Sequence, residues 1–293
     1  MRESTRLHFE QLGRLCAPEV NRSLLAALRS RVGADGVCVD KELIAANLAR
    51  RAGDLAGARR SFEAHLGAPL PRDCAIPAGL FSGGVFAIAP IVAVDDFLSP
   101  DRMEALHRHA CAIQPRFRAA NVSSTIPAPD PEKRETLVTY EFEYLHGFFA
   151  RFMDENFIRF ADALGLPPFT VDRTEMKMTC YLDGGFFNAH ADNHLAFGEA
   201  GRTLTWLYYF GETPIQYRGG ELYILDTDFG AGTSSGTWAT RIEPRPNRLI
   251  AFPSWFHHAV APTVLPGGHF AHGRFAVGGH VRKTADGAKA WWE

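Results

Sequence analysis

Cysteine is scarce in this chain, and its few thiols are poorly spaced for joint work. The five cysteines, at 16, 38, 74, 111 and 180, are odd in number and hold no CxxC pair. A disulfide framework and a cysteine zinc site are therefore not expected, and a reducing, cytoplasmic location fits best. Long apolar runs are missing too. No stretch approaches the ~20 apolar residues needed to span a bilayer, and the opening MRESTRLHFEQLGRL lacks the apolar centre of a signal peptide. A soluble protein with no membrane partner is expected. Charge of one sign is also not in excess: the formal net charge is -2 over 293 residues, which gives no global pull toward nucleic acid or anionic lipid. The short basic runs around Arg50-Arg51 and Arg59-Arg60 read as solvated helix faces.

What is present is ordinary globular composition, 46% hydrophobic and 22% charged, enough for one large domain or a medium domain with an appendage. From Glu42 to Leu66 the apolar and alanine positions recur at helical spacing, with a break at Gly53-Asp54, so an antiparallel helix pair is expected. It is similar to a single tetratricopeptide-type repeat. Stacked arrays normally need about three copies, which favours a lid or brace over a peptide-binding scaffold. Residues 67 to 84 are rich in Pro and Gly and read as a linker. The expected division is a helical N-terminal segment, 1–80, and a main domain, 81–293.

Within the main domain a strand is expected at Ile88 to Val94. A helix follows, with Ser99 as N-cap and Pro100 at its first position. Residues 121 to 136 read as a polar, Pro-rich loop. A second helix, Glu143 to Leu164, closed by Gly165, carries a Phe stripe that reads as core. From Thr170 onward, EMKMTCYL, TLTWLYYF, GELYIL, GTWATRIEP, NRLIAF and GRFAVGGHV alternate with turn residues. So many short strands indicate an antiparallel α+β fold: a double-stranded β-helix, or jelly roll, with helices on one face.

The chemistry-bearing stretch is FFNAHADNH, residues 186 to 194. On a helix, His190 and His194 would share a face as in the zinc protease motif, but that motif needs a glutamate where Ala191 stands. Gly184-Gly185 upstream favours an extended approach, in which residues two apart point the same way, so His190 and Asp192 converge and His194 falls beyond a bend. A third ligand could come from His257-His258, whose adjacency lets only one face the interior. Two imidazoles and one carboxylate leave open positions on a metal, the arrangement of non-heme Fe(II) oxygenases. Arg274, sixteen residues after His258, could hold the distal carboxylate of a keto acid through paired hydrogen bonds.

In order and content, PIVAVDDFLSP, YLDGGFFNAHADN, GRTLTWLYYF, GGELYI and NRLIAFPSWFHHAVAPT resemble the prolyl 4-hydroxylase-like branch of the Fe(II) and 2-oxoglutarate dependent dioxygenases. The resemblance spans Ile88 to Val281. It implies His190, Asp192 and His258 as the iron ligands and catalytic centre, with His257 facing away and His194 left as a bystander or pocket-rim residue. It further implies Arg274 on the distal carboxylate of 2-oxoglutarate, Tyr209 supporting it and Tyr181 near the keto-acid end.

The implied cofactor is Fe(II), with 2-oxoglutarate and O2 as co-substrates and ascorbate as reductant. Asp192 favours hydroxylation over halogenation, because related halogenases carry a small residue there. The implied substrate is an amino-acid or peptidyl side chain, prolyl by default, with a free sugar or biosynthetic intermediate as the alternative. The variable stretches 119–136 and 226–240 would choose among them. A non-catalytic cupin-like metal binder would lack the need for Arg274. Two departures stand out. LPGGHFAHG lengthens the gap before Arg274, and Gly278-Gly279-His280 replaces the aromatic that relatives often carry, placing His280 on the same face as Arg274.

Overall fold

The computed structural model describes residues 54–66, 86–87, 91–121, 129–164, 169–193, 201–228 and 233–284, with Pro69 and Leu166 between them. The first helix of the expected pair, nearly all of the linker, Gly165 and His194 lie outside the described residues. The second helix of the pair is present as α1, Leu55–Leu66. The Asp54 carboxylate accepts from the Gly57 N–H at 2.8 Å and caps its first turn.

Fifteen strands follow among the described residues. In chain order they are β1 (Phe86–Ala87), β2 (Val92–Val94), β3 (Arg118–Ala119), β4 (Arg134–Glu135), β5 (Leu137–Thr139), β6 (Val171–Tyr181), β7 (Phe186–His190) and β8 (Arg202–Phe210). Then come β9 (Arg218–Gly219), β10 (Leu222–Asp228), β11 (Thr233–Ile242), β12 (Arg248–Pro253), β13 (His258–Val260), β14 (Thr263–Val264) and β15 (Arg274–Lys283). One antiparallel sheet runs β2-β12-β8-β15-β6-β5-β3. The other runs β1-β10-β13-β7-β4, with β11 also on β10. This is the expected double-stranded β-helix, and each of the six segments read as strands is one.

Alternation along the large sheet creates the site. On β15, Arg274, Ala276, Gly278 and His280 share one face. Register sets Tyr181 of β6 beside Arg274, then Thr179 and Tyr209 (β8) beside Ala276, Lys177 and Leu207 beside Gly278, and Glu175 and Thr205 beside His280. Small residues at 276 and 278 leave the floor open between two polar ends. The opposite face carries Phe275, Val277, Trp206, Tyr208 and Phe210, all buried.

Against that outer face packs α3, His146–Ala163. Phe149 stacks on Trp206 at 5.8 Å between centroids, and Phe97 meets both Phe152 and Tyr208. The Phe stripe is core, as its spacing predicts, and each fully buried phenylalanine contributes roughly 1.5–3 kcal/mol. Helix α2, Pro100–Ala112, starts where expected. Ser99 stands at the N-cap position, but its hydroxyl makes no capping bond; instead its carbonyl accepts from the N–H groups of Arg102 and Met103.

One expectation needs amendment. The loop read over 121–136 ends in β4, which pairs with β7 (Arg134↔Phe187); a two-residue edge strand is too short to show any alternation. The lengthened stretch before Arg274 lies between β14 and β15, as expected of a loop, and its 3-10 turn at Phe270–His272 leads directly into β15. Among the described residues, no helix is long and apolar enough to cross a membrane.

Candidate active site

The turn before β7 needs Gly184, whose φ of +77° lies in the left-handed region. Its N–H donates to the Thr263 carbonyl at 2.8 Å, and β7 then runs toward His190. At the end of that strand the N–H groups of Asp192 and Asn193 both donate to the Ser254 carbonyl, at 2.9 and 3.1 Å, which bends the chain and turns Asp192 inward. On β13, His258 sits directly opposite His190.

One donor atom from each of His190, Asp192 and His258 lies within 4.8 Å of the others. The two histidines are oriented alike: Nδ1 of His190 lies 2.8 Å from the Asn188 carbonyl and Nδ1 of His258 lies 3.0 Å from that of Phe256. Each Nδ1 thus carries the proton and each Nε2 faces Asp192, at 3.6 and 3.3 Å. Burial pushes His258 down to about 4, so its imidazole is neutral, the form that binds a metal. Burial works against the charge on Asp192, but His280 and His258 outweigh it and hold its carboxyl well below the usual range. An ionised carboxylate with two imidazoles whose Nε2 atoms face it fits a divalent ion with open positions. His257 is not among the converging donors.

Arg274 opens β15 and is 1% exposed. Its Nε donates to the Gly220 carbonyl at 2.6 Å, while its Nη2 is buried without a partner. The guanidinium lies 4.8 Å from the Tyr181 ring centre and 5.0 Å from that of Tyr209, whose hydroxyl is also buried and unpartnered. Orphaned donors beside a buried cation are costly unless a ligand meets them. Gly220 makes room for this: a Cβ there would stand 2.6 Å from Arg274 Cδ.

The pocket that joins these groups is also lined by Arg134, Lys177, Thr179, Phe187, Thr205, Leu207, Leu222, Val260 and His280. Thr205 Oγ1 donates to Asp192 Oδ2 at 2.8 Å and lies 3.0 Å from Ser254 Oγ and 3.3 Å from His280 Nδ1. His280, expected on the face of Arg274, does line the pocket; burial lowers its pKa to about 3. Burial, followed by the neighbouring Arg134 guanidinium, pushes the Lys177 ammonium down to about 8. Thr205, Arg134 and Lys177 are absent from the sequence reading. Alternation in TLTWLYYF could have flagged Thr205, whereas Arg134 and Lys177 emerge only from pairing. A larger cavity of about 1130 Å³ lies elsewhere, between Asp95, Tyr217, Glu221 and Arg245, and contains none of these donors.

A jelly roll holds two histidines and a carboxylate that could bind one metal ion, with a buried arginine deeper in the barrel. Residues 176–282, about a third of the chain, match the family model of the 2OG-Fe(II) oxygenase superfamily. Members take Fe(II), 2-oxoglutarate and O2. An uncharacterised PKHD-type hydroxylase of Synechocystis sp. is 28% identical over 205 residues, 69% of this chain and 66% of that protein. This chain thus spans just under two thirds of that relative's length. A prolyl hydroxylase of Trichoplax adhaerens, solved with a hypoxia inducible factor peptide fragment, has the same fold. That likeness has a TM-score of 0.51 at 17% identity and covers 66% of this chain and 84% of that one. A Pseudomonas putida prolyl-4-hydroxylase aligns with a TM-score of 0.48 at 19% identity, over 67% of this chain and 94% of its own.

Proposed function

We propose that this chain hydroxylates an unactivated C–H bond of an amino-acid or peptidyl side chain, prolyl in the default case. The balance is R–H + 2-oxoglutarate + O2 → R–OH + succinate + CO2. The observation that carries the reading is the His190, Asp192 and His258 cluster in one pocket with the unpartnered Nη2 of Arg274. In this reading the three clustered residues hold Fe(II), which supplies the redox chemistry that activates O2.

The remaining work belongs to the protein. Carbonyls of Asn188 and Phe256 fix both imidazoles, and Thr205 fixes the carboxylate. Arg274 and Tyr209 take the distal carboxylate of 2-oxoglutarate, with Tyr181 toward the keto end. Phe187, Leu207, Leu222 and Val260 keep water from the reacting face. Ascorbate serves as reductant, the compartment is cytoplasmic, and residues 81–293 are the catalytic unit.

The test is spectroscopic and chemical. Anaerobic Fe(II) with 2-oxoglutarate should give a metal-to-ligand absorption band that His190→Ala abolishes. In air, succinate release across amino acids and Pro-containing peptides should accompany a product heavier by one oxygen. Absence of the band together with unchanged succinate formation in His190→Ala would sink the reading.

A further inference from the structure

The pocket carries more positive charge than its metal and co-substrate account for. Its charged lining is three cations, Arg134, Lys177 and Arg274, against one carboxylate, Asp192. A divalent ion and the dianion 2-oxoglutarate cancel each other, and Asp192 offsets Arg274. The charges of Arg134 and Lys177 are left over.

Among the described residues neither forms an ion pair with a carboxylate. Arg134 is 8% exposed, and its side chain's one hydrogen bond among the described residues is to the Asn121 carbonyl, at 3.2 Å; its Nε is buried with no partner. Its guanidinium covers the Phe187 ring at 4.4 Å, and the other face of that stack is the His190 imidazole, 3.6 Å from Phe187. A single aromatic ring therefore separates Arg134 from a residue of the metal cluster. Lys177 projects from the inner face of β6, and no described carboxylate lies within ion-pair distance of it. The acid two residues away, Glu175, is taken by Arg202 at 2.7 Å and Arg282 at 2.9 Å. Holding two like charges in a shared pocket is costly unless an anion joins them.

Their position separates them from the co-substrate anchor. Lys177 is four residues along β6 from Tyr181, the cross-strand neighbour of Arg274, which is about 13 Å of strand. Arg134 stands on the facing sheet. We propose that Arg134 and Lys177 form an anion subsite beside the metal cluster, and that the substrate is a small free carboxylic acid whose carboxylate they hold. A guanidinium fork and a point-charge ammonium suit such a group. A monocarboxylate takes up one of the two charges and a dicarboxylate both. A prolyl side chain inside a peptide offers neither, because its carboxyl is spent in an amide. This proposal rests on the oxygenase reading above and narrows its substrate from peptidyl to free acid.

Inorganic sulfate is the probe. In anaerobic protein loaded with Fe(II) and 2-oxoglutarate, calorimetry should show one saturable sulfate site. Lys177→Met and Arg134→Met should each weaken it by at least ~10-fold, and Lys177→Arg should retain it. The absorption band of the loaded protein is read in the same sample. Its absence is a failure of the oxygenase reading, whereas a normal band with no saturable sulfate site, or one indifferent to both variants, overturns the subsite. A second arm measures succinate release with C3 to C6 amino and hydroxy acids and the matching carboxamides. Acids should stimulate release and their amides should not, and amides or Pro-containing peptides that serve equally overturn the substrate assignment.

Discussion

At the scale of single residues, Thr205 shows how a neutral side chain governs a charged one. Its hydroxyl reaches the Asp192 oxygen that also faces His258 and His280. Thr205→Val removes that hydrogen bond at nearly constant volume, and Fe(II) affinity measured by titration should fall 10–100-fold. Thr205→Ser should restore it. Arg274→Met should raise the dissociation constant for 2-oxoglutarate by at least ~30-fold, from the 2–5 kcal/mol lost when one partner of a buried charge pair is removed.

Lys177 makes a stability prediction of the opposite sign. It is faced by Arg134, Asp192 and Arg202 from other elements and by Glu175 on its own, and its pKa drops to about 8 from the ordinary 10.5. A lysine depressed on folding costs stability while both states are charged, and the cost fades as pH rises from about 8 to 10.5. In metal-free protein at pH 7, Lys177→Met should therefore raise the unfolding free energy by about 1 kcal/mol after solvent screening, read by denaturant unfolding. That advantage should vanish near pH 10.

At the scale of elements, two glycines of similar backbone separate strain from contact. Gly220 has φ +71° and a Cβ would strike Arg274, whereas Gly184 has φ +77° and nothing within 4 Å. Both alanine variants should lose about 1–3 kcal/mol in thermal unfolding from the left-handed conformation. Only Gly220→Ala should also weaken 2-oxoglutarate binding in calorimetry. The two sites also mark what could be read in advance. His190, Asp192, His258 and Arg274 were legible because each carries unusual chemistry at strand spacing, and Gly219-Gly220 lies in a recognisable GGEL turn. Lys177 was not, because nothing in EMKMTCYL tells that it will stand beside Gly278; that follows from register between strands about a hundred residues apart. Arg134 was read as part of a loop, since the pairing that makes β4 belongs to β7 as much as to itself.

At the scale of the whole molecule, every residue lining the site falls between Arg134 and His280. Residues 81–293 alone should therefore bind Fe(II) and 2-oxoglutarate as the full chain does, within about twofold by titration. A drop beyond that would assign the N-terminal helices a part in the site. Metal should also hold the two sheets together: at Fe(II) a hundredfold above its dissociation constant, stability should exceed that of chelator-treated protein by about 2.7 kcal/mol. The pleat of the large sheet has one more consequence. Met178, Cys180 and Trp206 alternate with Lys177, Thr179 and Thr205, so the side chains most easily oxidised lie on the far side of the wall from the pocket. None of the residues lining the pocket is a cysteine, methionine or tryptophan. Under the proposed oxygenase function the sheet that builds the pocket would also be its shield, and a one-residue slip of β6 would turn sulfur toward the oxidising site.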